Sequence, residues 1–431
     1  MVTLLFGRFF CGFLCPLGTL IDICDPFFTK FERPALRPLK SGKYLLLVFL
    51  AGAAIIGAAF SQFFDPLVIF ERSLILIFYP VASFFIALAT PLKEFGYTEN
   101  VIALGSFILI LGLGYFTPRF WCRNLCPLGG LLAVVAKFSL FKFQYREHCD
   151  QCGFCARVCP TAAIKDEPRM IDSAECVGCL RCATECPHGR IGYRININPT
   201  AFDIKRRQVV AALAAGVIVA PLARSFSYIR LNNGRLIRPP GSLPEASFTN
   251  TCLRCGLCLK VCPTNGLQPC LAEAGLVGLW TPRLAARIGG CEKNCNACGR
   301  ICPTSAIRKL PLVEKSFAKI GTAVIDRSRC IAWEQDKTCL ICDEACQYNA
   351  IDSHPEIIQG VNLMRPFVDE RICIGCGICE SRCPVEGQSA IQVFSIGEER
   401  KKTGFYATEE KIRWRKGENK PVDLPNGFIT E

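Results

Sequence analysis

Long apolar runs alternate with polar, cysteine-bearing ones along this chain of 431 residues. Three apolar stretches come first, Tyr44–Phe64, Leu74–Ala89 and Val101–Trp121. A helix that spans a bilayer needs about 20 apolar residues, and Tyr44–Phe64 meets that length. The second stretch is shorter and interrupted by Pro80, and the third is apolar until Pro118 and Arg119. A fourth run, Val209–Leu222, is alanine-rich and short, with the length of an export-signal core. It follows Lys205-Arg206-Arg207, a pattern like a twin-arginine signal, which exports folded proteins with their cofactors in place.

Charge decides how many runs cross. Lys30, Arg33, Arg37, Lys40 and Lys43 precede the first, and Arg119, Arg123, Lys137, Lys142 and Arg146 follow the third. Basic flanks mark the cytoplasmic side, so an even number of crossings is expected between them. Segment 66–92 carries Glu71, Arg72 and prolines at 66, 80 and 91. It is therefore expected to lie at the outer interface or to re-enter, leaving the other two to cross. The net charge of +13 is dispersed and forms no stripe, so no nucleic-acid partner is expected.

Twenty-four of the thirty cysteines form six sets. Two are regular and adjacent: Cys149, Cys152, Cys155 and Cys159, then Cys176, Cys179, Cys182 and Cys186, each ending in Cys-Pro. Four more follow: Cys252, Cys255, Cys258 and Cys262; Cys291, Cys295, Cys298 and Cys302; Cys330, Cys339, Cys342 and Cys346; and Cys373, Cys376, Cys379 and Cys383. The spacing C-x2-C-x2-C-x3-C-P is that of bacterial ferredoxins, in which three thiolates grip one 4Fe–4S cubane and the fourth ligates its neighbour. Six 4Fe–4S clusters are expected. Zinc sites use two pairs across a longer spacer, and disulfide scaffolds belong to short secreted chains. In the first two sets, Cys186 should complete the 149–155 cluster and Cys159 the 176–182 cluster. In the later four, the likeness of the regular sets to each other suggests nesting, the first set with the fourth and the second with the third. Gly153, Gly256 and Gly377, between the second and third cysteines, suit a tight turn with positive φ. Histidine is nearly absent and no C-x-x-C-H or dinucleotide fingerprint occurs, so neither haem nor flavin is expected.

An internal repeat lies in the apolar part. GRFFCGFLCPLGTL at 7–20 and PRFWCRNLCPLGGL at 118–131 share nine of fourteen positions. Each holds a C-x3-C-P motif, giving Cys11, Cys15, Cys122 and Cys126. Brought together, two such pairs make a pocket of four thiolates. Three roles stay open for it: a further cluster, a redox dithiol pair, or buried structural thiols. Cys24 and Cys270 fit no set.

The paired C-x3-C-P motifs with the double ferredoxin run make residues 1–195 resemble the NapH/MauN-type membrane ferredoxin, a quinol dehydrogenase component. Arg206-Arg207, RLIRPPGSLPEASF before TCLRCGLCLKVCP, and four cysteine sets make residues 205–395 resemble the NapG/MauM-type periplasmic ferredoxin. The resemblance implies a fusion that relays electrons from membrane quinol to a periplasmic reductase or carrier. It implies an electron carrier rather than a stand-alone catalyst. The alternative is a reductase for metal or cofactor maturation, as in other C-x3-C-P membrane ferredoxins. The first C-x3-C-P begins ten residues after Met1, where the family pattern has further membrane helices; either the sequence is truncated there or a membrane partner subunit supplies them.

The expected architecture is α+β, with N-terminal transmembrane helices and two ferredoxin-like modules, one of two clusters and one of four. Residues 1–144 form the membrane domain and 145–195 the cytoplasmic two-cluster module. Residues 196–245 hold the twin-arginine-like segment and linker, 246–395 the periplasmic four-cluster module, and 396–431 a charged tail. The whole is expected in the inner membrane.

Overall fold

The computed structural model describes residues 2–29, 41–90, 95–97, 100–145, 149, 152–165, 170–195, 204–230, 234–271, 273–358 and 361–416. The expected cytoplasmic charges Lys30, Arg33, Arg37, Lys40 and Arg146 lie outside the described residues. The chain divides into two compact units, Met1–Tyr79 with Glu99–Ala223, and Pro80–Thr98 with Arg224–Glu431.

The first unit is built around the repeat. Phe10–Leu14 and Trp121–Leu125 are each one wide π-type turn. Cys15 and Cys126 then leave the helical region, at φ −73°, ψ 111° and φ −75°, ψ 109°, before helices Pro16–Thr29 and Pro127–Ala136 begin. Proline accounts for both breaks. It pushes the residue before it into extended backbone, while its own missing N–H costs nothing in the first turn of a new helix. Leu17, Ile21, Ile69, Phe107, Ile110 and Trp121 pack around Cys15, Cys122 and Cys126.

The apolar runs depart from expectation. Of the stretch 44–64, Gly42–Ile55 forms one helix, and the chain then turns at Gly57 with φ +77°. Its fourteen residues rise about 21 Å at ~1.5 Å each, short of a ~30 Å hydrocarbon core. Segment 66–92, expected to be interrupted at Pro80, contains the continuous 24-residue helix Pro66–Ala89. Its prolines do not break it. Pro66 sits in the first turn, where the Asp65 carboxylate accepts the Leu67 N–H at 2.9 Å. Pro80 follows the π-type turn Leu74–Phe78, whose wider winding leaves room for the ring. Among the described residues, Pro66–Ala89 and Arg206–Ala223 are the two helices long and apolar enough to cross a membrane.

Helix Arg206–Arg230 packs on Gly42–Ile55 through glycine. A Cβ on Gly216 would lie 2.1 Å from the Phe49 carbonyl oxygen, and one on Gly52 2.6 Å from that of Leu213. Bare backbone at both positions lets the helices touch. They run in the same direction: Ile204 packs near Tyr44 and Ala174 at one end, Ala220 with Ala53 and Ala58 at the other. The 145–195 module sits at the first of these ends. It is framed by the antiparallel strands Phe141–Tyr145 and Ile191–Ile195.

The second unit has short helices and paired strands: Leu267–Pro269 with Pro282–Leu284, Thr322–Ile325 with Ile391–Phe394, and the hairpin Ile351–Ile358 with Val361–Val368. Phe248 is fully buried against Ala306 and Ile307. Buried Arg238 donates to Glu245, Thr281 and the Pro282 carbonyl. Residues 80–98 belong to this unit, where the Gly96 carbonyl accepts from Asn265 at 2.7 Å and Gln268 at 3.2 Å. The tail wraps the surface as far as it is described, with Tyr406 fully buried against Leu310 and Ala318.

Candidate iron–sulfur centres

The cysteine sets gather in crossed pairs. Cys149, Cys152, Cys155 and Cys186 line one cavity, as the spacing predicts. Cys159 lies within electrostatic reach of Cys176 and Cys182. In the second unit, Cys252, Cys255 and Cys258 share a cavity with Cys302, and Cys291, Cys295 and Cys298 share one with Cys262. Cys330, Cys339 and Cys342 face Cys383, while Cys346 acts on Cys373, Cys376 and Cys379. The nested pairing is therefore corrected: sets join their neighbours in sequence, first with second and third with fourth. Links of similar length join all four sets, 262–291, 302–330 and 346–373, so connectivity favours a sequence neighbour without choosing which one. Loop spacing shapes only the three-cysteine turn. The two pairs touch where the Cys291 N–H donates to the Cys376 carbonyl at 2.7 Å.

Backbone turns aim amides at sulfur. Gly153, Gly256 and Gly377 take φ of +70°, +85° and +78° at the start of the short helix bearing the third cysteine. In the second set Leu180 holds the same place at φ +64°. The irregular sets use Asn296 and Leu340 at negative φ. A further turn was not foreseen. Three residues past the fourth cysteine, Ala162, Asn265, Ser305, Asn349 and Gly189 are all left-handed. The next N–H then points back to the thiol: Ala163 to Cys159 Sγ at 3.3 Å, Arg190 to Cys186 at 3.4 Å, Ala350 to Cys346 at 3.2 Å. Such bonds stabilise negative charge on sulfur and raise a cluster's potential.

These sites fit cubanes. Three thiols from one loop and a fourth from a neighbouring set line each cavity, beside Cys149 and beside Cys291. Among the described residues no group of three or more His, Cys, Asp or Glu converges tightly enough for a single metal ion. A cubane spreads its four thiolates around a body larger than a single ion. Burial pushes the Cys176, Cys182, Cys342 and Cys376 thiols up to about 12, and Cys258 and Cys379 well above their ordinary value. Coordination reverses that cost, because a metal-bound thiol is deprotonated outright.

The repeat forms a further cavity lined by Cys11, Cys15, Cys122 and Cys126 with Arg8 and Pro66. Gly18 and Gly129, equivalent in the two copies, flank it: a Cβ on Gly18 would meet the Cys11 carbonyl at 3.1 Å, and one on Gly129 would meet Arg8 at 2.9 Å. Gly129 donates its N–H to Cys126 Sγ at 3.2 Å. Arg119 donates to the Cys11 carbonyl at 3.1 Å and is held by Asp22 at 2.6 Å. Arg8 donates to the Ala174 carbonyl at 3.0 Å, and Lys43 reaches Glu175 at 2.5 Å, where the Tyr44 hydroxyl also bonds. Cys24 and Cys270 line none of these cavities. Cys270 is fully buried, 3.4 Å from Arg238.

Comparison with known proteins gives concordant matches. Residues 148–190 match a 4Fe–4S dicluster domain. Residues 1–33 and 100–146 match one 4Fe–4S binding domain, and 366–387 match another. The methylamine utilization ferredoxin-type protein MauM of Paracoccus denitrificans is 37% identical over 193 residues, 43% of this chain and 82% of that protein. MauM of Methylorubrum extorquens is 39% identical over 165 residues, 37% of this chain and 72% of that protein. The ferredoxin-type protein NapG of Escherichia coli is 29% identical over 204 residues, 43% of this chain and 81% of that protein.

Proposed function

Given that the chain belongs to the ferredoxin-type family of MauM and is a multi-cluster 4Fe–4S electron-transport protein, we propose that it is a membrane-anchored relay drawing electrons from quinol and delivering them to a redox protein across the membrane. The observation that carries this reading is the contiguity of the cysteine sets. In the second unit Cys258 lies near Cys298 and Cys302, Cys291 bonds to Cys376, and Cys379 lies near Cys342. That is an unbroken row suited to passing charge. When bound, 4Fe–4S clusters supply one-electron chemistry over a wide range of potential. The thiols hold them, and the turns at Ala162, Gly189 and Asn349 supply amides that favour the reduced form.

The parallel helices support the two-sided reading. Helices 42–55 and 206–230 both start beside the 145–195 module, so the latter leads the chain away from it. With that module cytoplasmic, as its basic flanks suggest, the chain leaves toward the periplasm. The matched 4Fe–4S binding domain over 1–33 and 100–146 supports a seventh cluster at Cys11, Cys15, Cys122 and Cys126, where a NapH/MauN-like portion would meet quinol. The test is EPR of membranes containing the full chain, reduced with menadiol. Cubane signals should develop and then decay on adding the quinone. Signals indifferent to quinol would exclude the relay and favour a maturation role. Protease added to spheroplasts should cut within 246–395 and spare 145–195; the reverse pattern would overturn the assigned sides.

A further inference from the structure

We propose that the seam where Gly12 meets Val177, enclosed by Arg8, Arg119 and Arg123, is the junction through which electrons pass between the C-x3-C-P cavity and the centre of Cys159, Cys176, Cys179 and Cys182. It rests on the reading that both hold clusters. Gly12 lies between Cys11 and Cys15, and Val177 between Cys176 and Cys179. A Cβ on Gly12 would fall 2.3 Å from the Val177 carbonyl oxygen, so the two cysteine loops are in backbone contact. Phe9 approaches Gly178 beside it, 3.9 Å from where a Cβ would stand.

The repeat is symmetric in its cysteines but not here. Gly12 in the first copy corresponds to Arg123 in the second. The first copy opens a gap for the ferredoxin loop; the second fills the equivalent place with a buried cation within electrostatic reach of Cys159 and Glu175. Arg8 and Arg119 are themselves equivalent and each is 1% exposed. Arg8 lines the cavity, binds the Ala174 carbonyl two residues before Cys176, and lies 3.7 Å from Glu175. Arg119 binds the Cys11 carbonyl and acts on both Cys122 and Cys179. Three guanidiniums thus stand between two sets of thiolates. Glu175 and Asp22 fix two of them in place. Positive charge in a buried site favours the reduced, more anionic state on either side and screens the repulsion between them. Transfer balances simply: one electron leaves one side, one is gained by the other, and no proton or bond changes hands.

Two variants of the full chain test this, by freeze-quench EPR after mixing with menadiol and by EPR redox titration. Gly12→Val should keep all iron but slow the signal of the Cys159/176/179/182 centre by about tenfold or more, as small misplacements do at reacting centres. An unchanged rate with both centres filled overturns the junction. Where Gly12→Val loses iron, Arg123 decides. Arg123→Gln should lower that centre's midpoint potential and Arg123→Lys should restore it; identical potentials in all three proteins overturn the proposal. If Cys11→Ser with Cys122→Ser removes no iron from the otherwise wild-type chain, the C-x3-C-P cavity holds no cluster, and the junction falls with the reading beneath it.

Discussion

The C-x3-C-P cavity and the ferredoxin centres each gather four cysteines but frame them differently. In each ferredoxin centre, three sulfurs come from one short loop, and left-handed turns at residues such as Ala162 and Asn349 aim amides at the fourth. The C-x3-C-P cavity joins two π-type turns, Phe10–Leu14 and Trp121–Leu125, through Arg119, and braces them with Arg8, Lys43 and Glu175. One frame is made of peptide dipoles, the other of buried charges. Peptide frames survive most side-chain changes, whereas a buried ion pair turns costly as soon as one partner is lost.

That contrast can be broken outright by deleting ligands. Cys186→Ser should remove about four irons per chain, one cubane, and leave the C-x3-C-P cavity intact. Iron analysis with EPR that shows both vanishing together would mean the frames are not separate. Next in size, Glu175→Gln strands Lys43 and Arg8 in the interior and should cost about 3–5 kcal/mol. Asp369→Asn, at a half-exposed turn in the second unit, should cost under about 1 kcal/mol. Thermal unfolding in detergent ranks the two, and equal losses would erase the distinction.

Acid should act more gently, through Glu245. Burial alone would raise its pKa, but Arg238 and Arg400 hold it below the usual carboxylate range. Its folded value lies under its unfolded one, so the stability it contributes is complete above the unfolded value. That stability is lost as pH falls through the folded one. Denaturation midpoints of the second unit should therefore drop on acidification below roughly pH 4.5, and Glu245→Gln should flatten that drop; an unchanged slope argues against the ion pair. The smallest effect concerns the turns. Ala162 sits at φ +47°, where a Cβ costs roughly 1 kcal/mol. Ala162→Gly should delay iron release in denaturant slightly, while Gly153→Ala at φ +70° should hasten it.

Spacing made the grouping of the cysteines legible, because three thiols that share one cavity come from one tight loop. Repetition made the four-thiol cavity legible, since equivalent motifs occupy equivalent places. Partnership between sets was not legible. The likeness of the regular sets suggested that Cys252–Cys262 would join Cys373–Cys383, yet Cys262 lies in the cavity of Cys291, Cys295 and Cys298. Lys43 misled in another way. Before an apolar run it reads as a topology signal, but it is fully buried against Glu175, 132 residues onward. The continuity of helix Pro66–Ala89 through Pro80 was not legible, because proline counts as a breaker and a π-type turn that absorbs it leaves no mark in composition.

The exchange of fourth cysteines imposes an order on biosynthesis. The ligands of the earlier cavity in the first module are incomplete until Cys186 has left the ribosome, and those of the later one draw on Cys159, made well before. Iron delivery during translation would find the second site ready as soon as the first. Each module is therefore suited to loading as a unit, and a nascent chain stalled before its last cysteine exposes half-built sites that invite the wrong metal.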